Sequence, residues 1–171
     1  METTAEKEKW RLLRRSRSNL RVAGKAVLAF GIWSILKLIL EWVLGNEISQ
    51  FIDESLEAPK ELQSAVIITT LIIISLFIFL FHYSVFRGAR KEASGKKTSY
   101  FYLFTALLLA LSSAYSIYDT VVHPSTIDQG VLSIWSSILL DATVIGACID
   151  VMYNGIMCKR MTKELTNRGG E

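Results

Sequence analysis

Charge is what long stretches of this sequence lack. From Ala65 to Phe86, AVIITTLIIISLFIFLFHYSVF, there is no Asp, Glu, Lys or Arg, and Tyr100 to Tyr118 is equally bare. Cysteine is scarce as well: Cys148 and Cys158 stand ten residues apart on what reads as one helix, too distant to bridge each other. They read as packing residues and say nothing about redox compartment. The two histidines, His82 and His123, have no neighbours at ligand spacing, so no metal site is expected. Also missing are a phosphate-cradling glycine loop, a nucleophile elbow and a paired-cysteine motif. No catalytic residues and no cofactor are expected.

What is present is hydrocarbon in long blocks. The 171 residues are 51% hydrophobic with a mean hydropathy of +0.34, close to the range of soluble domains, so distribution decides the class. A hydrocarbon layer about 30 Å thick needs roughly 20 apolar helical residues, at about 1.5 Å per residue. Four segments meet that length: about 26–44, 65–86, 100–118 and 131–157. A soluble bundle would need amphipathic stripes, and Ala65 to Phe86 has none. The expected fold is all-α, an integral membrane four-helix bundle made of two antiparallel transmembrane hairpins. The first apolar run is long enough to span, so no removable leader is expected.

Basic residues set the expected orientation. Residues 1–25 carry a net charge of +5, from bases including Lys7, Lys9, Arg11, Arg14, Arg15 and Arg17. The first loop, 45–64, carries −4, and the second, 87–99, carries +4. The third, 119–130, holds Asp119 and Asp128 without a base, whereas the tail, 158–171, is basic again. The sign alternates without exception. The reading is a cell membrane protein with both termini cytoplasmic, a basic N-terminal segment (1–25), a four-span domain (26–157) and a basic tail (158–171). Arg11, Arg14, Arg15 and Arg17 are candidates for lipid-headgroup contact, on a segment able to lie along the membrane surface as a helix. In the first loop, Ile48, Phe51, Ile52 and Leu56 suggest a short interfacial helix after Asn46, ended by Pro59.

A few polar residues fall inside the spans, where a charge costs about 2.5–3.5 kcal/mol or more and rarely faces lipid. Counting from the span ends puts Lys37 about 17 Å from one face and Asp141 about 15 Å from the other. The two are thus at nearly one depth on antiparallel helices, and could neutralise each other. Lys37 and Glu41 are one turn apart, with Ser34 on the same face. The third span offers Thr105, Ser112, Ser116 and Asp119 at helical spacing. Ser34, Lys37, Glu41, Ser112, Ser116, Asp119 and Asp141 are expected to converge as a polar core. Asp150 points away from Asp141, and with Tyr153 and Asn154 forms the one cluster at headgroup depth. Gly24, Gly31, Gly146, Ala147 and Gly155 permit close helix approach.

Short soluble segments leave little room for a domain with its own chemistry. The expected role is a small accessory or interaction subunit acting through helix contacts. The alternative is a small oligomeric transporter or channel component using a buried carboxylate. Expected partners are the lipid bilayer and other membrane proteins or further copies; nucleic acid is not among them.

Overall fold

Both prolines, Pro59 and Pro124, lie between the apolar runs, so nothing inside a run breaks the helical hydrogen-bond ladder. The computed structural model describes residues 4–44, 60–122 and 131–168, and each run forms one continuous helix. These are α1 (Thr4–Leu44), α2 (Lys60–Ala93), α3 (Phe101–Val122) and α4 (Val131–Arg168). The described residues hold no strand. They form an all-α, four-helix protein whose helices are long and apolar enough to cross a membrane. The loop helix expected around Phe51, with Asn46 and Pro59, and likewise His123, fall outside the described residues.

Neighbouring helices run antiparallel. Gly24 of α1 faces Ala89 of α2, and Gly31, further along α1, faces His82, earlier on α2. Lys9 meets Glu164 at one end of the α1–α4 pair and Lys37 meets Ser137 towards the other. On the α3–α4 pair, Tyr102 lies against Gly155 and Ser116 against Asp141. α1 is packed mainly between α2 and α4, and α3 against α4, while the α2–α3 contact is slighter.

The packed core is off-centre. Fully buried side chains gather at the end that holds the α2–α3 turn and the basic stretches of α1 and α4, here termed the basic end. On α1 they are Leu13, Leu20, Ala23 and Val27, with Ser16 between them. On α4 they are Val144, Cys148, Val151, Cys158 and Met161. On α1 the steps alternate between three and four residues, the spacing that keeps one seam facing a partner in left-handed bundles. Cys148 and Cys158 are free thiols inside this core, in keeping with a packing role.

Two expectations change here. The basic N-terminal stretch is not a separate helix set against a surface. It is the first half of α1, and burial of Leu13 and Leu20 against the bundle holds it in line with the apolar half. Gly146 is not a contact point, since a Cβ placed there would meet nothing within 4 Å. Gly24, Gly31 and Gly155 do sit at close approaches, joined by Gly88 against Tyr102.

The α2–α3 turn is built with care for its backbone. Lys96 N–H donates to the Lys91 carbonyl at 3.1 Å and Gly95 N–H to that of Glu92 at 2.9 Å, the paired bonds of a Schellman cap. Gly95 has φ 76°, the left-handed geometry that closes this motif and favours glycine. Ser99 Oγ then accepts from Phe101 N–H at 3.3 Å and starts α3.

Candidate functional site

Away from the basic end, the helices line an open cavity of about 430 Å³. Every helix contributes a polar group to it: Ser34 from α1, His82 from α2, Ser112, Ser113 and Ser116 from α3, and Asp141 from α4. Apolar side chains such as Phe77, Phe81 and Leu108 complete the wall. Ser116 Oγ donates to Asp141 Oδ2 at 2.8 Å, across the α3–α4 contact. Asp141 Oδ1 has no hydrogen bond among the described residues, so one carboxylate oxygen is left to the cavity. Ser34 Oγ donates to the Phe30 carbonyl at 2.9 Å and keeps its acceptor lone pairs.

His82 is held firmly. Its ring packs in the notch left by Gly31, where a Cβ would lie 2.5 Å from His82 Cγ. Its Nδ1 is 2.8 Å from the Ile78 carbonyl, and a carbonyl only accepts, so Nδ1 carries the proton and Nε2 is the remaining acceptor. The chemistry gathered here is one carboxylate, one imidazole and four hydroxyls. Hard oxygen donors and a titratable pair of this kind suit a proton or a small cation.

The expected polar core is assembled in part. Ser34, Ser112, Ser116 and Asp141 share the cavity. Lys37 instead bonds through Nζ to Ser137 Oγ, one helical turn from Asp141. Among the described residues no ion pair joins Lys37 to Asp141, and each meets a serine hydroxyl of a neighbouring helix, Ser137 and Ser116. Asp119 is exposed and lies beyond the lining, and the side chain of Glu41 lies outside the described residues. Thr105 of the same α3 stripe is buried at the basic end, donating to the Phe101 carbonyl at 2.9 Å. The Asp150 cluster does not assemble: Asp150 and Tyr153 are exposed while Asn154 is buried, its amide donating to the Asp150 carbonyl. Arg11, Arg14 and Arg15 are exposed and Arg17 half-buried; Arg11 and Arg14 frame a surface hollow with Lys7 and Trp10.

A second polar cluster, at the basic end, is absent from the sequence reading. Lys159 Nζ pairs with Glu92 Oε2 at 3.0 Å, with side chains 13% and 9% exposed, which makes this a buried ion pair. The same ammonium donates to the Thr98 carbonyl at 2.6 Å and sits 4.6 Å from the Tyr100 ring centre, a cation–π contact. Thr98 Oγ1 donates to Glu92 Oε2. The signal was there: Glu92 is the one acid among five bases in 87–99. A lone acid in a basic turn is a natural partner for one of the bases nearby.

Fold and site together define a class: a four-helix protein with helices of membrane-spanning length, an off-centre core and a polar cavity. Comparison with protein-family models, with curated proteins and with solved structures gives no match.

Proposed function

We propose that this is an integral protein of the cell membrane, its basic end in the cytoplasm, that takes up a proton or small cation beside Asp141 as a component of a small transporter or channel. The observation that carries the reading is the cavity itself. Placing a carboxylate, an imidazole and four hydroxyls along the apolar stretches of membrane-spanning helices is costly, and such groups mark ion or proton paths when they are not consumed by one another. Here Asp141 keeps an oxygen towards open space rather than closing on Lys37. Four helices seldom enclose a full path alone, so the working unit on this reading contains more than one copy or a partner subunit.

The test is flux in liposomes reconstituted with the purified protein under a proton, Na⁺ or K⁺ gradient. Flux abolished by Asp141→Asn and kept by Asp150→Asn, on the opposite face, is the expected result. No flux above empty liposomes, or full flux in Asp141→Asn, counts against it. An accessory role through helix contacts is the second reading, favoured by one face of α4. Ala142, Gly146 and Asp150 are exposed there and Gly146 has open space before it, which allows another helix to approach closely. Gly146→Leu separates the two, since it should release a bound partner and leave intrinsic flux unchanged.

A further inference from the structure

Topology explains why bases collect at one end of the bundle, but not why three of them surround one groove. Between α2 and α3 at the basic end lies a hollow of about 460 Å³. Arg87 and Lys91, one turn apart on α2, line it together with Lys97 from the turn. All three are exposed, and no ion pair among the described residues involves any of them. The lining holds no carboxylate; its other polar groups are hydroxyls, among them Ser99. Ser99 Oγ accepts from Phe101 N–H, which leaves the hydroxyl proton to donate. The first turn of α3 opens beside it and adds the positive end of a helix dipole. By contrast, Glu92, the acid of this turn, is turned away into its pair with Lys159.

The groove also has an apolar lining. Leu80 and Phe101 line it and are exposed, Leu80 lying about 10 Å along α2 from Arg87. Three cations packed around one space repel each other unless an anion joins them. A surface that sets three cations beside exposed apolar side chains, with Leu80 reaching towards the span, matches a molecule with an anionic head and apolar chains. We infer that this groove binds an anionic phospholipid of the inner leaflet, its phosphate among Arg87, Lys91, Lys97 and Ser99 and its acyl chains along Leu80 and Phe101. Basic pockets between helices on the cytoplasmic side take acidic headgroups in this manner. The inference rests on the membrane reading above, and is independent of the Asp141 cavity. Loss of lipid binding and loss of ion flux are therefore separate results.

The experiment is native mass spectrometry of the intact protein released from micelles, titrated with phosphatidylglycerol, phosphatidylcholine or inorganic phosphate. Phosphatidylglycerol should stay bound, phosphatidylcholine should be lost, and inorganic phosphate at millimolar excess should not displace the lipid. Arg87→Gln/Lys91→Gln/Lys97→Gln should weaken phosphatidylglycerol on the order of 100-fold, and each single change about fivefold. The single variants keep the proposal testable if the triple variant fails to insert. Arg21→Gln/Lys25→Gln, two exposed bases of α1 outside the groove's lining, should leave retention unchanged. Equal retention of both lipids, retention indifferent to the α2–α3 changes, or loss from the α1 variant instead would each overturn the assignment. Full displacement by inorganic phosphate would overturn it too, in favour of a free-phosphate site.

Discussion

The two halves of the bundle treat buried polar groups in opposite ways. At the basic end, Glu92 and Lys159 neutralise each other at 3.0 Å, the Thr98 hydroxyl adds a bond to the same Glu92 oxygen, and the Thr98 carbonyl and the Tyr100 ring add contacts to the ammonium. Around them Leu13, Leu20, Val85, Val151 and Cys158 close the core. In the other half Lys37 bonds to Ser137 and Asp141 to Ser116, without an ion pair between the two charges, and a cavity stands beside Asp141. A charge matched by its opposite holds structure together, whereas a carboxylate met by one hydroxyl alone is available to something that arrives. The Glu92–Lys159 pair is thus the clamp, and Asp141, with no cation paired to it among the described residues, is the carboxylate open to a proton or small cation on the reading proposed above.

The largest effect should come from breaking the clamp. Glu92→Leu leaves Lys159 buried without its countercharge and should cost about 3–5 kcal/mol of stability, read from unfolding in detergent micelles. Adding Lys159→Met to that variant should return most of the loss, because an apolar pair of similar volume replaces the ionic one. If Glu92→Leu unfolds no earlier than the parent, the basic end is not what holds the helices together. A step down is the joint between the halves, where His82 packs on Gly31. Gly31→Ala forces a methyl against the imidazole ring and should cost about 1–3 kcal/mol by the same assay. The smallest effect belongs to the open half. Ser116→Ala removes one hydroxyl contact to Asp141 and should cost about 0.6 kcal/mol, while changing any flux through the carboxylate that Ser116 positions.

The same contrast governs what could be read from residues alone. The apolar runs are legible because length and lack of charge are local properties, and α2 from Ala65 onward is the plainest case. Ser34, Ser112, Ser116 and Asp141 could be grouped by depth and helical face, and those four do line one cavity. What escaped depends on which helices touch. The reach of α1 to Thr4 follows from Leu13, Ser16, Leu20 and Ala23 at alternating three- and four-residue steps, masked in the sequence by the arginines between them. His82 has no neighbour at ligand spacing in the sequence. Its place in the cavity depends on Gly31 of another helix making room. The Glu92–Lys159 pair joins residues far apart in the chain, and composition counted both as loop and tail charge.

Cysteine labelling in the bilayer tests whether the Asp141 cavity is wet. Ser112→Cys, in the protein reconstituted in lipid, is treated with a small water-borne thiol reagent, the buried Cys148 and Cys158 serving as built-in references. The account predicts rapid modification at position 112 while both native thiols stay unreacted. A Ser112→Cys thiol as inert as Cys148 would mean that water does not reach Asp141, and the binding role assigned to that half of the bundle would not stand.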